Sequence, residues 1–159
     1  MADERLEAQV GSLLRAKHWT VGTAESCTGG LLLHRLTNIP GSSEYVLGGI
    51  VAYSNQIKQE VLHVRSETLA AHGAVSEPTA VEMAVNLRAL LGVDVALSVT
   101  GIAGPGGGTA EKPVGLTYIG LAAPGGIATV RRYLWSGDRE ANKAASAEAA
   151  LKLALEVLG

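Results

Sequence analysis

The run from Val93 to Thr100 constrains the fold more than any other stretch of the chain. It is almost unbroken in its apolar character and ends in small polar residues, the pattern of a strand buried on both faces. Such a strand needs a layer of structure on each side. The rest of the sequence supplies amphipathic helices rather than a second sheet. The chain contains no Phe, and aromatic residues make up only 4% of it, so its core is built from Ala, Val, Leu and Ile. Small aliphatic side chains suit a sheet covered by close-packed helices. A length of 159 residues fits a single domain, 1–159, with a substantial core.

The remaining elements follow from local pattern. Leu6, Val10, Leu13 and Leu14 recur at helical spacing within Asp3–Lys17. Trp19–Thr23 reads as a short strand and Leu31–Leu36 as a mostly buried helix. Asn38–Ser43 is a turn by composition. Tyr45–Tyr53 reads as a strand with Gly48-Gly49 inside it, a hint of a bulge or a close backbone approach. Ser54 or Asn55 caps a short helix containing Ile57, Val61 and Leu62, and another short helix fits Glu67–His72. Ser76-Glu77-Pro78 opens a longer helix reaching about Leu91. Leu116–Ala123 and Ile127–Trp135 flank Pro124-Gly125-Gly126 as a hairpin. Ser136-Gly137-Asp138 caps an alanine-rich helix that runs to the C-terminus. The expected architecture is α/β, a three-layer α/β/α sandwich with a mixed central sheet.

Four places in this pattern carry residues suited to chemistry. Ala24-Glu25-Ser26-Cys27-Thr28-Gly29-Gly30 lies between a strand and a helix, where α/β folds bind ligands and helix-start amides stand unpaired. Those amides suit an oxyanion or a phosphate; the same residues also read as a Thr28 helix cap with glycines for close packing. Tyr53-Ser54-Asn55-Gln56-Ile57-Lys58 places a lysine near a helix start, where the dipole disfavours a cation and helps lower its pKa. A lysine in that state can activate a serine, although a solvated lysine fits the same spacing. Gly101–Gly108 follows the interior strand and matches neither a Walker A loop nor a dinucleotide fingerprint, leaving an anion cradle or a surface loop. Arg139 opens the last helix, again a cation at the wrong end of a dipole, which a bound phosphate or a pairing with Glu140 would resolve.

Other features narrow the classes. The formal net charge is −2, with no basic stripe, so electrostatics offer no support for nucleic-acid binding. The single Cys excludes an internal disulfide and fits a reducing compartment. Cys27 itself reads either as a nucleophile or as a small buried apolar residue. His18, His34, His63 and His72 are scattered without ligand spacing, so no metal site is expected. No signal peptide and no apolar span of membrane length occurs, and the expected location is the cytoplasm. Nothing favours or excludes a homo-oligomer.

Taken in order, Ala24–Gly30, Pro40-Gly41-Ser42-Ser43, Tyr53-Ser54-Asn55 with Lys58, Gly73–Pro78, Thr100-Gly101-Ile102-Ala103-Gly104-Pro105 and Lys112-Pro113-Val114-Gly115 resemble the CinA C-terminal domain family. The resemblance runs from about Leu6 into the final helix. It implies an α/β/α fold and a nicotinamide-nucleotide amidase, which turns nicotinamide mononucleotide into nicotinate mononucleotide and ammonia in bacterial pyridine-nucleotide recycling. It places the nucleophile on Ser26 and the assisting residues on Tyr53 and Lys58, with no organic cofactor and a small-molecule nucleotide as the only partner required. Around the substrate, the helix start after Ser26, the glycine-rich loop and the start of the last helix make Cys27, Thr28, Gly29, Gly30, Asn55, Thr100, Gly101, Ala103, Gly104 and Arg139 the expected binding residues. The molybdopterin-binding-like domain often joined to this family is missing from the sequence, which therefore resembles the stand-alone form. A non-catalytic nucleotide-binding or interaction domain, and an amidase for another small amide, remain as alternatives.

Overall fold

The computed structural model describes residues 2–159. The chain runs through α1 (Leu6–Lys17), β1 (Val21–Glu25), α2 (Leu31–Thr37), a 3-10 turn at Ser42–Glu44, β2 (Val46–Val51), α3 (Asn55–Glu60), α4 (Ser66–His72), α5 (Glu77–Leu91), β3 (Val95–Gly101), β4 (Leu116–Ala123), β5 (Ile127–Leu134) and α6 (Arg139–Leu158). The strands form one mixed sheet in the order β2-β1-β3-β4-β5. β2, β1 and β3 are parallel, and β3, β4 and β5 are antiparallel.

The interior strand is β3, and its alternation explains the layers. Val95, Leu97 and Val99 point to one face, where they pack with Val10 and Leu14 of α1, Leu32 and Leu36 of α2, and Leu151 and Ala154 of α6. Ala96 points to the other, against Met83 and Leu87 of α5 and Leu62 and Val64 beside α3. The small residues on that second face let α5 lie close to the sheet. Gly120 of β4 is a point of such contact: a Cβ there would sit 2.7 Å from the Ala80 carbonyl oxygen. On the first face Arg35 of α2 pairs with the nearly buried Glu7 of α1 at 2.7 Å, and with Glu148 of α6 at 3.5 Å. Glu7 thus belongs to the interface between the helices.

Several boundaries differ from the sequence reading, for local reasons. β1 starts and ends two residues later than Trp19–Thr23, because Ala24 and Glu25 continue the ladder to β2 and β3. α3 ends at Glu60, before Val61 and Leu62, and Ser54 rather than Asn55 caps it by accepting from the Ile57 amide at 3.1 Å. β2 is shorter than Tyr45–Tyr53, and the register shifts opposite Val21 and Gly22. Within it, Gly49 lies where a Cβ would be 2.5 Å from Thr23 Oγ1, the close approach its glycines suggested. No helix among the described residues is long and apolar enough to cross a membrane.

The strand order also fixes where a ligand can sit. From β1 the chain moves outward to β2, then crosses back over β1 to β3. The carboxyl ends of β1 and β3 therefore border a switch point, the crevice in which open α/β sheets bind ligands.

Candidate active site

Ser26 is the first residue past β1. Its amide donates to the Val99 carbonyl at 2.9 Å, so the strand ladder holds it directly beside β3. Lys58 comes from α3, which follows the neighbouring edge strand β2. The Ala52 amide donates to the Glu25 carbonyl at 2.8 Å, which docks the end of β2 against the end of β1 and brings α3 over Ser26.

The Lys58 side chain is 1% exposed. Its Nζ lies 2.9 Å from Ser26 Oγ, 2.8 Å from the Ala52 carbonyl oxygen and 3.3 Å from that of Tyr53. Among the described residues no carboxylate pairs with it. Desolvation of this unpaired cation lowers its pKa from 10.5 to about 8. The sequence pointed to the helix field as well, but α3 is only six residues long and Lys58 stands in its last turn. Burial is the dominant cause. In its neutral form the amine donates its two hydrogens to the carbonyls and turns its lone pair to the Ser26 hydroxyl, which then donates to it.

Ser26 and Lys58 lie on the wall of a cavity of about 300 Å³. Cys27, Tyr53, Asn55, Thr100, Gly101, Ala103, Gly104 and Arg139 line it as well, so most of the expected substrate residues converge. Thr28, Gly29 and Gly30 do not line this cavity. Thr28 is buried, with its hydroxyl donating to Glu25 Oε1 at 2.6 Å. Ala74, Val75, Ile102, Gly106 and Gly107 complete the lining; they lie in the Gly73–Pro78 and Gly101–Gly108 segments that the sequence marked, but were not singled out there as substrate residues. Ala74 and Val75 arrive because Thr100 Oγ1 donates to the Ala74 carbonyl at 2.8 Å.

The glycine-rich segment is held at several points and is no loose surface loop. Asn142 Nδ2 donates to the Ala103 carbonyl and to that of Gly137, each at 3.0 Å. Arg139 Nη1 donates to the Gly104 carbonyl at 2.7 Å, and Lys112 Nζ donates to the His72 carbonyl at the end of α4. Arg139 therefore answers to the loop and not to Glu140. Its Nη2 donates to the Tyr53 hydroxyl at 3.1 Å. Tyr53 is 62% exposed and meets Lys58 only through its main-chain carbonyl. The contact between Lys58 and Ser26 is direct, with no phenol between them.

The Cys27 thiol is buried, and its pKa is pushed up to about 11, chiefly by desolvation and further by the charge of Glu25. A thiol so firmly protonated is a poor nucleophile. Among the described residues no group of three or more His, Cys, Asp or Glu side chains is gathered as metal ligands would be.

Fold and cavity together define an open-sheet, three-layer α/β protein with a ligand-sized cleft at the switch point. The chain belongs to the CinA C-terminal domain family, whose model matches residues 3–158. It is similar to a CinA-like protein of Chloroherpeton thalassium, 52% identical over 159 residues, covering 98% of this chain and 38% of that one. A second CinA-like protein, from Chlorobaculum tepidum, is 52% identical over 92% of this chain and 36% of its own length. The chain thus spans about a third of the length of the curated relatives it matches. Among solved structures, the competence/damage inducible protein CihA from Agrobacterium tumefaciens is 40% identical with a TM-score of 0.93, covering 96% of this chain and 93% of that one. A CinA superfamily protein from Klebsiella pneumoniae is 37% identical with a TM-score of 0.92, covering 96% and 95%.

Proposed function

We propose that this chain hydrolyses the carboxamide of nicotinamide mononucleotide to nicotinate mononucleotide and ammonia, as a cytoplasmic enzyme of pyridine-nucleotide recycling. The observation that carries this reading is the 2.9 Å contact between Ser26 Oγ and Lys58 Nζ on the wall of the cleft. A buried lysine without a counter-ion, poised on a serine hydroxyl, is an activated nucleophile. The family resemblance supplies the substrate.

Ser26 Oγ attacks the carboxamide carbon as Lys58 Nζ takes the hydroxyl proton. The tetrahedral intermediate collapses by breaking the C–N bond, and the Lys58 ammonium returns a proton to the departing nitrogen, which leaves as ammonia. Water then attacks the Ser26 ester with Lys58 again as base, and the acid product departs. Main-chain amides after Ser26 hold the oxyanion, at about 3 kcal/mol per donor. Tyr53 contributes twice: its carbonyl orients the lysine amine, and its hydroxyl fixes Arg139. Arg139 and the Gly101–Gly104 segment receive the nucleotide phosphate. Lys143, one turn further along α6, stands beside the Gly29 turn and adds positive charge to that side.

The test is release of ammonia from a panel of nicotinamide mononucleotide, nicotinamide and glutamine, with the acid product identified. Turnover of the mononucleotide is the expected result. Turnover of a different amide moves the substrate assignment, and nucleotide binding without ammonia makes the chain a binding domain.

A further inference from the structure

Glu25 is 1% exposed, carries no salt bridge among the described residues and immediately precedes Ser26. Its Oε1 accepts from the Thr28 hydroxyl at 2.6 Å and from the Leu32 amide at 2.9 Å. Its Oε2 accepts from the Leu33 amide at 3.0 Å and from the Thr23 hydroxyl at 3.2 Å. A carboxylate at the end of a strand is therefore doing the work of a helix cap. The N-cap residue of α2 is Gly30, at φ +101°, which has no side chain with which to cap.

Following every amide from 26 to 34 shows what this arrangement leaves over. Ser26 donates to Val99, Gly29 to the Ser26 carbonyl, Leu31 to that of Thr28 and His34 to that of Gly30. Leu32 and Leu33 donate to Glu25. Among the described residues, the amides of Cys27, Thr28 and Gly30 have no acceptor. Of these three residues only Cys27 lines the cleft, beside Ser26. Thr28, the next amide along, is locked by its own hydroxyl to Glu25.

We propose that Glu25 is a positioning residue: by occupying the first amides of α2 and the Thr28 hydroxyl, it fixes the turn so that the Cys27 amide, beside Ser26, faces a developing oxyanion. This rests on the acyl-transfer reading above. The buried side chain is satisfied by four hydrogen-bond donors in place of a cation.

The decisive variant is Glu25→Gln, which nearly preserves shape but turns an NH2 group toward two of the four donors, a main-chain amide and a hydroxyl. With nicotinamide mononucleotide, kcat is expected to fall by about tenfold to a hundredfold while KM stays within about twofold. The ascending limb of the pH profile should not move, because Lys58 sets it. Labelling of Ser26 by a fluorophosphonate, which places its phosphoryl oxygen in the oxyanion position, should slow in the same proportion as kcat. Circular dichroism and melting identify the folded fraction, so a merely structural role would lower the melting temperature and leave kcat per folded molecule unchanged; that result overturns the proposal. A shifted pH limb also overturns it, since Glu25 would then be acting on Lys58. If the wild type released no ammonia from nicotinamide mononucleotide, the substrate reading would fail while the labelling comparison still decided the role of Glu25. Equal labelling of wild type and Glu25→Gln, or no labelling of the wild type, ends it.

Discussion

Lys58 Nζ and Ser26 Oγ, 32 residues apart in sequence, meet at 2.9 Å because β2 lies parallel beside β1 and delivers α3 onto the end of its neighbour. No third side chain mediates the contact. The lysine is desolvated by the same packing that aims it, so its position and its acidity have one cause. The reaction proposed for this cleft depends on both.

Ser26→Ala is expected to abolish ammonia release, whereas Cys27→Ala keeps a large part of it. The serine faces the amine, while burial holds the neighbouring thiol protonated with a pKa of about 11. Steady-state assays on both folded variants check this. Loss of turnover in Cys27→Ala alone reverses the assignment.

Activity should rise with pH through about 8 as Lys58 loses its proton. Lys58→Arg retains a charge but cannot act as a base, so it should be nearly as inactive as Lys58→Ala. The check is kcat against pH for the three proteins, with circular dichroism to confirm folding. A clearly active arginine variant would restrict Lys58 to a charge-stabilising role.

The same shift makes stability depend on pH. Below pH 8 the lysine is protonated in both states, and its burial as a cation costs up to roughly 3 kcal/mol. Between about 8 and 10.5 the unfolded chain still holds the proton that the folded one has shed, so this contribution makes the fold more stable as pH rises. Denaturant unfolding of wild type and Lys58→Met at a series of pH values isolates it. Their difference should change across that window and stay flat below it. A flat difference throughout would mean that the lysine is not desolvated.

Nicotinamide without its ribose phosphate should be a poor substrate, because remote binding energy aligns the reacting amide. Arg139→Ala is expected to raise KM for the mononucleotide more than it alters turnover of free nicotinamide. Equal kcat/KM for the two compounds in the wild type would remove the phosphate from this account.

Tyr45 offers a test away from the cleft. Its hydroxyl is buried without a hydrogen-bond partner among the described residues. Tyr45→Phe removes an unsatisfied polar group and should stabilise the protein by about 1 kcal/mol, read from the denaturation midpoint. Marked destabilisation would show that the hydroxyl has a partner in solution.

The elements, the three layers and the order of the motifs were legible in the residues alone. Hydrophobic periodicity is local: Val95, Leu97 and Val99 against Ala96 and Ser98 announce two covered faces wherever β3 finally lies. The dipole conflicts at Lys58 and Arg139 also marked both cations as unusual, although burial and not the field of α3 proved to govern the lysine. What the sequence could not show is who meets whom. Glu25 reads as one more polar residue in a turn, yet its partners lie seven and eight positions on, across a helix start. Tyr53 directs its hydroxyl to Arg139, 86 residues away, and Asn142 pins Ala103 from α6. Desolvation and the pairing of donors with acceptors are properties of a place and not of a residue type. That place exists only once the order β2-β1-β3 has brought the ends of three elements together.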